Sequence, residues 1–157
     1  AFAGEGNDAT LAFEGPHFME IGPKPSTVVG KDYGWGVLTV NNTNTRVDVS
    51  QFLAGGKLNF SIRTTYPGKL MFGFGTALAG VVSVVASNTN ADGYGYINDG
   101  EWHQVSIPIA AFTAAGGKFD LSRLTEAFVV SDIYETTGNA KGSEVKIFVD
   151  AVYWTKN

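Results

Sequence analysis

The sequence specifies an all-β domain, a two-sheet antiparallel β-sandwich of the jelly-roll type whose short helical turns are confined to connections. Three observations predict it. The 157 residues include 20 glycines and only 17% charged residues, with Val, Thr, Phe and Tyr abundant, a composition short of helix formers. Apolar residues recur with a period of two in strand-length pieces, and turn-forming residues separate the pieces at short intervals. Strands and helical segments do not alternate and no fixed-period repeat is present, which excludes parallel α/β and repeat architectures. A chain of this length makes one domain, residues 1–157, able to bury roughly 68–70% of the surface its unfolded form exposes. The 44% apolar content, spread along the whole length, excludes disorder.

Composition also narrows the chemistry. There is no cysteine, so disulfides, thiolate metal sites and a cysteine nucleophile are absent. The 11 basic and 15 acidic residues are thinly spread, and the net charge of −4 leaves no basic patch for nucleic acid. No apolar run approaches the roughly 18 residues of a membrane span. The opening Ala1–Asp8 segment lacks a basic start, an apolar block and an initiator Met, and reads as a mature or excised segment of a larger protein rather than a signal peptide.

Taken in order, Thr10–Glu14 and Phe18–Ile21 are two short candidate strands divided by Gly15-Pro16, and Gly22–Ser26 then breaks the chain. Val37–Val40 and Arg46–Ser50 read as a hairpin closed by Asn41–Thr45. Lys57–Thr65 alternates most cleanly, with Leu58, Phe60 and Ile62 on one face and Asn59, Ser61 and Arg63 on the other. Lys69–Thr76 and Val81–Ala86 are the next strands, and the nearly continuous apolar run of the latter predicts a central position. Asn98-Asp99-Gly100 is a turn that launches the strand from Trp102, with Val105, Ile107 and Ile109 on the buried side and Pro108 at an edge or strand end. Ala110–Ala115, ended by Gly116-Gly117, and Leu121–Leu124 are helical turns. Ala127–Ile133 and Glu144–Asp150 are the last long strands, joined by Tyr134–Gly142, and the chain closes on Ala151–Trp154. The total is about eight to ten strands.

Sugar recognition needs flat rings to cover the apolar faces of pyranoses and planar polar groups to read hydroxyls. Tyr33 and Trp35 stand between glycines, and Tyr94, Tyr96 and Trp102 cluster around the Asn98–Gly100 turn, where core packing explains a ring less readily than mid-strand. These five are the candidate stacking residues. Arg63, Asn59 and Gln104 are the candidate polar readers. Tyr153 and Trp154, in a terminal strand, read as core or domain-packing residues. The plainer reading is that Trp102 plugs one end of the core with Tyr94 and Tyr96 covering it, and that Asn59 and Arg63 belong to a solvated sheet face.

Catalysis has no constellation to carry it. The carboxylate pairs Glu14 with Glu20, Asp99 with Glu101, and Asp132 with Glu135 flank turns or strand ends rather than face each other across a cleft, as a glycosidase requires at about 5–9.5 Å. His17 and His103 lack partners at ligand spacing. Neither a nucleophile elbow nor a phosphate loop is present. The chain reads as a binder and not an enzyme, with a small jelly-roll glycosidase or lyase the least favoured reading.

Three stretches resemble jelly-roll carbohydrate-binding modules. Arg46–Phe52 followed by Gly56–Arg63 is similar to their D-(L/V)-S … G-x-L-x-F-x-I-R signature, Gly100–Phe112 to G-x-W-x-x-V-x-I-P-(L/I)-x-x-F, and Val145–Trp154 to I-x-(V/I)-D-N-(V/I)-x-W. With Gly4–Asp8, Phe13–Phe18 and the Tyr94–Pro108 stretch, the chain most resembles the C-terminal non-catalytic domain of marine-bacterial exo-β-1,3/1,4-glucanases, and modules beside agar- and carrageenan-degrading domains are similar. One departure stands out: Ala151 occupies the position after Asp150 where the motif has Asn. The resemblance implies a secreted, periplasmic or cell-surface bacterial module. It would bind a β-glucan such as laminarin or mixed-linkage glucan, or another marine glycan, for an attached glycoside hydrolase, and would be monomeric when isolated. It also implies a structural calcium with Asp150 and Glu14 as ligands and Glu5 and Asp8 as rivals, backbone carbonyls completing the roughly six to eight oxygens that calcium takes. The alternative class is a structural accessory domain that packs on a catalytic neighbour or mediates dimerisation, with the exposed rings as interface anchors.

Overall fold

The computed structural model describes residues 2–6, 8, 10–22, 36–40, 46–78, 80–132 and 145–156. Among them the chain forms β1 (Phe2–Gly6), β2 (Phe18–Gly22), β3 (Gly36–Val40), β4 (Lys57–Thr64), β5 (Leu70–Thr76), β6 (Gly80–Ala86), β7 (Trp102–Pro108), α1 (Ile109–Ala114), β8 (Leu124–Asp132) and β9 (Ile147–Thr155). Single 3₁₀ turns occupy Ser50–Phe52 and Leu121–Arg123. The strands pair antiparallel in two sheets, β1-β2-β9-β4-β7 and β3-β8-β5-β6. This is the expected sandwich. Its core is the set of inward-facing apolar positions of both sheets, with Leu58, Phe60 and Ile62 from β4 meeting Phe72, Phe74 and Phe128 from the facing sheet. Phe60 packs tilted against Phe72 at 4.6 Å and edge-on to Phe128 at 4.9 Å, geometries that avoid the repulsion of stacked ring faces.

Four expectations are corrected. Thr10–Glu14 is not a strand: β2 pairs instead with Phe2–Gly6, and residues 10–17 form an irregular connection. Gly6 permits the pairing, because a Cβ there would fall 2.2 Å from the Phe18 ring. Arg46–Ser50 does not return beside β3, whose partner is β8; only Val47 makes an isolated bridge, to Leu124. The β6 strand lies at the edge of its sheet and not at the centre. Its continuous apolar run conceals an alternation in which Val82, Val84 and Ala86 enter the core while Val81 and Val85 stay exposed. Finally, Ile147–Thr155 is one strand, interrupted by a bulge between the positions facing Ser61 and Asn59. The bulge moves the Ala151–Trp154 end out of the simple alternation that the first half obeys.

The Asn88–Gly100 loop packs along the free side of β7. Asn90 accepts the Gly95 N–H, and Tyr94 O accepts the Ser106 N–H at 2.8 Å, so a short extended segment shields the strand edge. Only glycine fits at 95, with φ at 101° and the Gln104 carbonyl 2.2 Å from where a Cβ would stand.

Candidate functional site

Opposite the core, the outer face of the five-stranded sheet collects the polar residues of β4 and their cross-strand partners. Register places Tyr153, Asn59 and Ser106 in one rung, Asp150, Ser61 and Gln104 in the next, and Phe148, Arg63 and Trp102 in the third. The alternation of β4 dictates this, since Leu58, Phe60 and Ile62 take the other face. Arg63, Asn59, Gln104 and Trp102, four of the predicted residues, are therefore brought together on one face.

The face is not open along its length. Residues 10–17 cross it as a strap between β1 and β2. The Trp102 indole N–H donates to Leu11 O at 3.1 Å, the Phe13 ring lies 5.8 Å from the Trp102 ring, and Asp150 Oδ2 accepts the N–H groups of Phe13 and Glu14 at 3.0 and 3.1 Å. At its start, Asp8 holds the Thr10 N–H and hydroxyl, which keeps its carboxyl below the usual carboxylate range, and its carbonyl accepts from Leu11 and Ala12. At its end, His17 Nδ1 meets Glu5 Oε1 at 2.8 Å.

On one side of the strap is a cleft of about 170 Å³ floored by Asn59, Ser61 and Ser106, with Gln104 and Tyr153 as its walls. Asn59 is only 8% exposed and its amide is engaged, donating to Lys57 O and Thr155 Oγ1 and accepting from Ser106 Oγ. It sets the floor rather than reaching out. Gln104 is exposed and Tyr153 is 47% exposed, so these two offer an amide and a ring to solvent. Tyr153, expected in the core or in domain packing, is turned outward by the bulge after Asp150, while Trp154 packs inward, against Phe74 at 5.1 Å. The outward turn of Tyr153 is the feature that sequence periodicity missed, because a bulge inverts the parity of every following position.

On the other side is a second cleft of about 240 Å³, lined by Arg63, Thr64, Thr65, Gly100, Lys146 and Phe148 among others. Arg63 Nε donates to Gly100 O at 2.8 Å. Lys146 Nζ meets Glu20 Oε1 at 2.6 Å.

The remaining candidates lie elsewhere. Tyr96 is fully buried in the core, edge-on to Phe72 at 5.6 Å, so it presents no ring to a sugar. Its position in a loop misled because that loop folds back onto the end of the sandwich. Tyr94 is half-buried and packs its side chain against the core. Trp102 is half-buried, with its N–H spent on the strap. Tyr33 and Trp35 lie outside the described residues.

Most of the residues named for calcium have hydrogen-bond or ion-pair partners within the chain. Asp150 directs both carboxylate oxygens to N–H donors, Oδ2 to Phe13 and Glu14 and Oδ1 to Ala151 at 2.7 Å. Glu14 contributes its N–H to that clamp and is exposed, Glu5 is paired with His17, and Asp8 caps the strap. Among the described residues no three His, Cys, Asp or Glu side chains converge as metal ligands. Of the carboxylates weighed as catalytic pairs, Glu20 is paired with Lys146 and Glu135 lies outside the described residues. Asp99, drawn below the usual carboxylate range by the Glu101 N–H and then by His103, is bonded to the His103 ring at 2.8 Å.

Residues 7–156 match the family description of carbohydrate binding domain 30. The chain belongs to that family. No curated protein sequence matches it. The family 30 module of the cellulosomal cellulase Cel9D-Cel44B of Clostridium thermocellum is similar in structure, with a TM-score of 0.70 at 16% identity over 99% of this chain and 82% of that one. A second family 30 module gives a TM-score of 0.70 at 18% identity over 100% of this chain and 92% of that one. The family 11 module of the cellulosomal cellulase Lic26A-Cel5E, also of Clostridium thermocellum, is more distant, with a TM-score of 0.56 at 15% identity over 96% and 78%. At these identities the structural likeness speaks to the fold alone. As a family 30 domain the chain is a non-catalytic carbohydrate-binding module, in keeping with the expected binder.

Proposed function

We propose that this family 30 module binds a β-glucan chain in the Gln104–Tyr153 cleft and thereby holds an attached glycoside hydrolase on its substrate. The observation that carries the reading is that two exposed side chains, a ring and an amide, line one cleft with Asn59, Ser61 and Ser106. A pyranose laid on Tyr153 buries its apolar C–H face, and Gln104 is placed to exchange hydrogen bonds with equatorial hydroxyls. The similar modules of cellulosomal cellulases support a glucan and an attached hydrolase. Binding an insoluble or polymeric glucan implies an extracellular location, reached by bacterial secretion. Among the described residues no helix is long and apolar enough to cross a membrane.

The test is retention and calorimetry of the isolated chain on laminarin, mixed-linkage β-glucan, hydroxyethyl cellulose, agarose, carrageenan and alginate. Gln104→Ala and Tyr153→Ala are each expected to weaken glucan binding about tenfold, the scale of one lost stacking or polar contact. Retention of both variants at the wild-type level sinks this cleft as the site. Tyr33→Ala and Trp35→Ala belong in the same series, as the remaining stacking candidates from the sequence.

A second reading, a structural domain that packs on a neighbour, is favoured by one feature: Leu78, Val81 and Val85 are exposed on and beside the edge strand β6. An isolated chain that self-associates, with Val85→Lys restoring the monomer, supports that reading; a monomeric chain that retains glucan supports the first.

A further inference from the structure

We infer that the Arg63 cleft is a second saccharide subsite, one that takes an anionic substituent, a carboxylate or a sulfate ester, on the bound chain. The inference rests on this face being the glycan-binding one. Three features of the cleft carry it. Arg63 is half-buried, and its Nε–H is committed to Gly100 O at 2.8 Å, which fixes the plane of the guanidinium. Its terminal amino groups meet no acceptor among the described residues, so four N–H donors remain in a fixed fork. A rigid planar fork matches the two oxygens of a carboxylate or sulfate, and because its orientation is already set, little further entropy is lost when the anion arrives.

The charges around the cleft leave the fork unneutralised. Glu20, which faces it from β2, is paired with Lys146 at 2.6 Å. Asp99, on the turn that carries Gly100, is directed to the Glu101 N–H and the His103 ring. Glu101 is exposed at the same turn and makes no ion pair with Arg63. A chain of net charge −4 thus keeps one oriented cation beside a cavity of about 240 Å³.

An apolar surface completes the subsite. Phe148 is the cross-strand partner of Arg63, lies half-buried on the same face, and is steadied by the Phe18 ring at 5.5 Å, edge to face. Ring and guanidinium side by side fit a pyranose that carries a charged group at its rim: its C–H face against Phe148, its anion on Arg63. A neutral sugar would fill the same space but leave the four donors to water. The strap between the two clefts makes this subsite separate from the Gln104–Tyr153 cleft, so the two are separable by mutation.

Hydroxyethyl cellulose, carboxymethyl cellulose and cellulose sulfate share one backbone and differ in substituent, and calorimetry of the chain with all three tests the inference. One or both anionic polymers should bind about tenfold tighter than the neutral one at low salt, the advantage shrinking as salt is raised. Which of the two gains identifies the group. Arg63→Gln should remove the advantage, so that the variant binds the anionic polymers no more tightly than it binds hydroxyethyl cellulose. Arg63→Lys, which keeps the charge and loses the fork, should retain only a part of it and guards against a fold defect from losing the Gly100 bond. Anionic polymers bound no more tightly than the neutral one, or an advantage that survives Arg63→Gln in a folded protein, overturns the inference and leaves the glucan reading standing. Failure of all three polymers to bind overturns the inference, and failure of laminarin and mixed-linkage glucan as well overturns the glucan reading with it.

Discussion

Asp150 Oδ2 accepts the Phe13 N–H at 3.0 Å across 137 residues of sequence, and this bond, with its neighbour from Glu14 at 3.1 Å, fastens the strap to the sheet. The carboxylate faces three N–H groups in all, the third from Ala151 at 2.7 Å. Asp150→Ala should therefore cost about 2 kcal/mol, the scale of hydrogen bonds to a charged acceptor. It should also raise amide exchange at Phe13 and Glu14 while the β4 and β5 amides stay protected. Chelator should leave the melting temperature unchanged and added calcium should not raise it; a fall on chelation would mean that Asp150 ligates an ion.

Trp102 holds the other end of the strap through Leu11 O at 3.1 Å. Trp102→Phe keeps a ring against Phe13 and removes the N–H. The expected cost is about 1 kcal/mol in urea unfolding, with glucan retention unchanged. Loss of retention would mean that the indole itself contacts sugar.

Burial, and then the neighbouring Tyr66, pushes the Tyr96 phenol well above its ordinary value of 10. In the unfolded chain the phenol ionises near pH 10, and in the folded chain it stays neutral beyond that. Its contribution is therefore fully present below pH 10 and is lost as pH rises above it, at about 1.4 kcal/mol per pH unit. Tyr96→Phe should flatten the alkaline limb of the stability profile by about that slope. The hydroxyl makes only a 3.4 Å bond to Gly68 O, so little stability should be lost at neutral pH. An unchanged alkaline limb would contradict the buried placement.

What could be read from the sequence depended on whether alternation was local and uninterrupted. Leu58, Phe60 and Ile62 against Asn59, Ser61 and Arg63 fixed both faces of β4, and with them the face that carries Gln104. Tyr96, expected on the surface, is buried because a glycine-bearing loop folds onto the core, and Tyr153, expected in the core or in domain packing, faces outward because a bulge reverses strand parity. Asn59 lay on the predicted face, yet its amide serves Lys57, Thr155 and Ser106. The strap itself was invisible, since its anchors Leu11, Phe13, Trp102 and Asp150 are brought together by long-range contacts and no periodicity encodes them.

Ala151 stands in the left-handed region at φ 48°, next to Asp150 and inside the bulge. A methyl-bearing residue is strained there by roughly 1–2 kcal/mol, whereas glycine is not and asparagine is tolerated. The related motif has Asn at this position, so the departure to Ala removes the residue that suits the backbone. Ala151→Asn and Ala151→Gly should each stabilise the domain by about 0.5–1 kcal/mol, the glycine gain being reduced by its greater unfolded-state entropy. For a domain of this size that is a rise of about 2–4 °C per kcal/mol in melting temperature. Because the bulge aims Tyr153, the better-fitting backbone should also keep glucan affinity at or above the wild-type level. Destabilisation by both substitutions would show that Ala151 does not adopt the left-handed conformation, and with it would go the account of how Tyr153 reaches the cleft.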